Sequence, residues 1–83
     1  MSKIDTLKSA LSGRNDEIEE YQINIDNYTR AIKKIDAEHA DNPAMVDFRE
    51  KLVNMLETHK IEQLKSIIIR DVIADQITES EAS

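Results

Sequence analysis

Two histidines, His39 and His59, are the only imidazoles in an 83-residue chain that has no cysteine. A metal or proton-transfer site would have to be built from them, yet neither stands in a ligand-type HxxxH spacing supported by carboxylates. If the chain folds back near residue 41, they lie on opposite arms, about ten Å or more apart. His39 then closes a helix seam beside the loop and His59 sits on a partly exposed face, so no metal site is expected. Without cysteine there is no disulfide, thiolate zinc site or thiol nucleophile. Serine and aspartate occur, but no Gly-x-Ser-x-Gly turn presents a nucleophile, and a single glycine cannot form a phosphate-cradling loop. The expectation is a protein that is not an enzyme, with no cofactor and no concave pocket of the kind catalysis requires.

Three polar or aromatic groupings are candidates for recognition instead. Arg14 and Asp71 each interrupt an otherwise apolar run, and a polar pair set into a helix seam commonly fixes register and oligomer state at some cost in stability. Tyr21 and Tyr28, seven residues apart, are read as core residues whose hydroxyls reach solvent. The acidic run Asp16, Glu17, Glu19 and Glu20, with Asp75, Glu79 and Glu81 near the end, could form a negative stripe resembling a phosphate backbone. It reads more simply as a solvated face neutralised by Lys60 and Lys65.

Helices must position these residues. Hydrophobic residues make up 40% and charged residues 34%, with one Gly, one Pro, one Phe, two Tyr and no Trp; such a chain is too apolar for disorder and too poor in turn residues for a sandwich or barrel. In the first arm, Ile4, Leu7, Leu11, Arg14, Ile18, Tyr21, Ile25, Tyr28, Ile32, Ile35 and His39 alternate in steps of three and four without a slip. A strict seven-residue repeat favours supercoiling against a partner helix. Ser2 with Asp5 resembles a capping box. Gly13 could end a short first helix and fold it back as a third, but the seam keeps its phase across it, so a continuous or merely bent helix is expected.

Asn42 and Pro43 have the chemistry of an N-cap and a first helical residue. The resulting expectation is an all-α single domain, an antiparallel helical hairpin with one arm over 3–40, a loop over 40–42, a second arm over 43–77 and a frayed tail over 78–83. The second arm is apolar on two faces: Met45, Phe48, Leu52, Met55 and Leu56 share one, whereas Ile61, Leu64, Ile67 and Ile68 centre more than about 120° away. The helix therefore bends near His59, or touches the first arm with one face and another chain with the other. In the fold-back register, Asp16 to Glu20 approach Lys60 and Lys65, Lys33 and Lys34 approach Asp47 and Glu50, Lys3 and Lys8 approach Glu79 and Asp75, and Arg14 comes within a turn of Asp71.

Ile68, Ile69 and Ile73 belong to the apolar surplus that a lone hairpin would leave wet, so a homodimer closing a four-helix bundle is expected. Seventeen acids against eleven bases, a formal charge of −6, argue against direct nucleic-acid binding, which rests on phosphate neutralisation. No apolar run approaches the length of a membrane span and the start does not read as a signal peptide, which points to the cytoplasm of a bacterial or infected host cell. The functional expectation is a non-catalytic interaction protein, an adaptor, assembly factor or phage- or plasmid-type inhibitor of a host enzyme, that binds another protein through its helix faces. The alternative is an acidic DNA mimic that blocks a nuclease or other nucleic-acid-binding complex.

Overall fold

The computed structural model describes residues 2–82, and they form two long helices joined by a tight turn. The first, α1, spans Lys3–Glu38; a single 3₁₀ turn covers Pro43–Met45; the second, α2, spans Val46–Ala82. Helix α1 starts where the Asp5 backbone N–H donates to the Ser2 hydroxyl at 3.1 Å, satisfying one of the orphan donors of the first turn, with the Asp5 charge opposing the helix dipole. It runs through Gly13 without a break. The absence of a side chain there weakens the helix locally, but the apolar seam on either side holds one phase.

The ends differ from expectation by small amounts with clear causes. Helix α1 stops at Glu38, and His39 becomes its C-cap, its N–H donating to the Ile35 carbonyl at 2.8 Å. His39 is exposed and does not extend the seam. Asn42 caps the next turn, its side-chain oxygen accepting from the Ala44 N–H at 3.0 Å, and Pro43 opens it; the tight 3₁₀ geometry then relaxes to α at Val46. The expected frayed tail is helical as far as Ala82, because Ile77 is buried against α1 and Glu81 pairs with Lys8 at 3.4 Å across the hairpin. Ser83 lies outside the described residues.

The molecule is a rod of 62 × 16 × 14 Å whose core is one line of contact between two helices. Along this line the buried aliphatic residues are Ile25 and Ile35 of α1 and Leu52 and Ile77 of α2, with Ser66 of α2 buried between Leu52 and Ile77 in sequence. The register sets Asp36 against Arg49, Gln22 against Gln63 and Lys8 against Glu81, close to the fold-back that the loop position implies. Among the described residues no helix is long and apolar enough to cross a membrane.

Candidate functional site

Helix α2 runs unbroken past His59 as one helix with two different faces. Toward α1 it presents Leu52, Leu56, His59, Gln63, Ser66, Arg70, Ile73 and Ile77, all buried or half-buried. Their steps alternate between four and three, so this line is as regular as the seam of α1, although its middle is polar. A straight helix must choose one face over its whole length. Leu52 and Leu56 near the loop and Ile73 and Ile77 near the far end lie on the same face, whereas the rival face carries Glu50, Asn54 and Glu57 at its loop end.

The polar middle of that seam is provided for. His59 is T-stacked with two tyrosine rings, its centroid 5.1 Å from that of Tyr28 and 5.8 Å from that of Tyr21, with the ring planes 76° and 75° apart. Its Nδ1 lies 2.8 Å from the Met55 carbonyl oxygen; a carbonyl only accepts, so Nδ1 carries the proton and Nε2 is the ring's remaining polar atom. Gln63 donates to the Ile18 carbonyl at 3.3 Å and to the Gln22 side-chain oxygen at 2.9 Å. The Tyr21 hydroxyl is held above its ordinary pKa, first by desolvation and then by the negative charges of Glu17 and Glu62. Glu17, Glu20, Tyr21, Asn24 and His59 line an open groove of about 250 Å³, which brings together an imidazole, a phenol and two carboxylates. Among the described residues no group of three or more His, Asp or Glu is placed to hold a metal ion.

The opposite face of α2 carries the unexplained surface. Ile61, Leu64, Ile68 and Val72 form a stripe in which each residue is 52–57% exposed, with Ile69 at 41% on its shoulder. Ile68 and Ile69 stand where an outward apolar surface was expected. Ile73 does not: it turns into the hairpin seam and is half-buried. Ile61, Leu64 and Val72 complete the stripe in its place. They share a face with Ile68 at a spacing that 3.6 residues per turn makes legible, but the run from Ile67 to Ile73 hides which of its members face inward.

Three charge relationships expected across the hairpin are not made. Arg14 pairs with Glu17 at 3.4 Å and Asp71 with Arg70 at 3.0 Å. The seam residue at that height is Arg70, and Asp71 projects outward on the next position around the helix, so Arg14 and Asp71 do not form a register pair within the chain. Likewise Lys60 pairs with Glu57 and Lys65 with Glu62 along α2 itself, because i,i+3 partners are reached without spanning the hairpin. Lys34 pairs with Glu38 within α1. Asp16, Glu19 and Glu20 are exposed and, among the described residues, have no ion-pair partner, so they form a negative edge on α1.

Compared with models of known protein families, with curated proteins and with solved structures, the chain matches none.

Proposed function

We propose that this helical hairpin is a non-catalytic interaction module, an adaptor, assembly factor or inhibitor, that binds another polypeptide through the outer face of α2. The observation that carries this proposal is the uninterrupted stripe of Ile61, Leu64, Ile68 and Val72, each more than half exposed. Apolar patches beyond a few hundred Å² are uncommon on lone soluble chains and mark contact surfaces. Self-association is included in the proposal, since a second copy is itself such a polypeptide. Photo-crosslinking in the producing cell tests it: a photoreactive residue at position 64 or 68 should give polypeptide adducts, and one at position 50 or 54 on the polar part of the same face should not. Equal adducts at all four positions, or none at 64 and 68, would overturn it.

One observation favours a second reading, an acidic DNA mimic. Lys60 and Lys65 are paired on their own helix and leave the Asp16, Glu19 and Glu20 edge unneutralised. A partner held by that edge would be released by salt, whereas one held by the apolar stripe would be largely indifferent to it. The double substitution Glu19→Lys and Glu20→Lys should abolish binding under the second reading and spare it under the first.

A further inference from the structure

We infer that the occupant of the outer stripe is a second copy of this chain, docked antiparallel, so that the assembly is a flat row of four helices, α1, α2, α2, α1, and not a closed bundle. This rests on the reading of the stripe as an interaction surface and goes beyond it by naming partner, orientation and shape.

The shape follows from the two faces of α2. Its inner seam and outer stripe lie nearly opposite each other, roughly 160° apart around the helix. A closed four-helix bundle requires each helix to touch two neighbours on adjacent faces. Helix α1 offers nothing to complete one: Ile23 is its only large hydrophobic residue among the exposed ones described. Two copies therefore meet back to back through α2, with both α1 helices on the outside.

Area is sufficient for this partner. With about 75–100 Å² left open on each of five aliphatic residues, the stripe offers on the order of 500 Å² per copy and about 1,000 Å² for the pair, the threshold of a biological interface and below the size of the stable ones. A pair held at that threshold dissociates on dilution.

Charge selects the orientation. On the outward side of α2, Lys60 and Lys65 come before Ile68, and Asp71 and Asp75 come after it, whereas Arg70 lies in the inner seam and Glu81 pairs with Lys8 of α1. In a parallel pair the basic block would meet its own copy and the acidic block its own copy. An antiparallel pair sets basic against acidic twice by symmetry. With the two-fold axis near Ile68, Leu64 of one copy meets Val72 of the other, and Lys60, on the same flank of the helix as Asp75, comes within one residue's rise of the other copy's Asp75.

Sedimentation of the full chain tests the inference. The expected species has twice the chain's 9.5 kDa at high concentration and reverts to the single chain on dilution. Ile68→Glu should give the single chain at every concentration with its helical circular dichroism unchanged, because Ile68 faces away from α1. Ile68→Cys should self-crosslink within the dimer under mild oxidation, whereas Asn54→Cys should not, since the antiparallel register sets residue 54 against the far end of α2. Lys60→Asp should weaken the dimer roughly three- to tenfold and Asp75→Lys in the same chain should restore it. A wild-type chain that stays single at millimolar concentration overturns the second copy while leaving the stripe open to another polypeptide. A dimer that survives Ile68→Glu is held by another surface and overturns the docking of the second copy on the stripe, and equal crosslinking at 54 and 68 overturns the antiparallel orientation.

Discussion

Arg49 clasps Asp36 across the hairpin one turn before the loop, Nε donating to Oδ1 at 2.7 Å and Nη2 to Oδ2 at 3.0 Å. Two parallel bonds fix the planes of both groups, as a lysine could not. The Arg49 hydrogen bonds are also the main reason that the Asp36 carboxyl lies below its ordinary pKa, against a smaller opposing desolvation. A folded-state pKa below the unfolded value adds stability that is present above the unfolded pKa and is lost as pH falls through the folded one. Both side chains are about half exposed, so the contribution is modest and shrinks with salt. Thermal melts of wild type and Asp36→Asn should differ at neutral pH, with the wild type higher, and should converge below the normal carboxylate range. A gap that is the same at pH 7 and pH 2 would show that the clasp contributes through something other than the Asp36 charge.

Gly13 is helical, and a Cβ built there meets nothing within 4 Å. Gly13→Ala should raise stability by about 1 kcal/mol, because the alanine loses less backbone freedom on folding and creates no clash. Denaturant unfolding measures this directly. An unchanged midpoint would mean that α1 is already locally open at Gly13 in solution.

The heptad line of α1 and the Asn42-Pro43 stop were enough to read two antiparallel helices and their register, because both signals are local. The inner face of α2 was harder to see, since its seam passes through His59, Gln63, Ser66 and Arg70 while isoleucines point outward. Hydrophobicity alone therefore assigns its faces the wrong way round in the middle. What fixes the inner face is continuity with Leu52, Leu56, Ile73 and Ile77 along one unbroken helix, and the partners that the polar residues find: two tyrosine rings for His59, and a carbonyl and an amide for Gln63. Those partners sit 31 to 45 residues away in sequence and leave no local trace. Asp71 misled for the same reason: beside a buried run it looks like a seam charge, but the seam at that height belongs to Arg70.

Arg14 and Asp71 should accordingly behave as independent residues within the hairpin. Arg14 is half-buried in the seam and paired with Glu17, whereas Asp71 is exposed and paired with its neighbour Arg70. In dilute solution Asp71→Leu should shift stability by no more than about 0.5 kcal/mol, and Arg14→Leu should stabilise by extending the apolar seam. The double substitution should equal the sum of the two within about 0.3–0.5 kcal/mol. A larger coupling term, measured by urea unfolding of all four proteins, would mean that the two side chains do meet.

Ser66 is the most deeply buried residue described, 2% exposed, and its hydroxyl oxygen has no hydrogen-bond partner. A small side chain at the seam lets the helices approach closely, but an unsatisfied hydroxyl carries a desolvation penalty of about 1–3 kcal/mol that a methyl group would not. Ser66→Ala keeps the fit and removes the penalty, and alanine is also the better helix former, so a gain of about 1 kcal/mol or more is expected. Ser66→Leu should instead cost about 1–3 kcal/mol, because a rod with one line of contact can accept the larger side chain only by prising the helices apart. Calorimetric or denaturant melts of the two variants separate the roles. If Ser66→Ala destabilises, the hydroxyl is bonded after all, to a carbonyl one turn back on α2; if Ser66→Leu is neutral, the helices are not in close contact at this height.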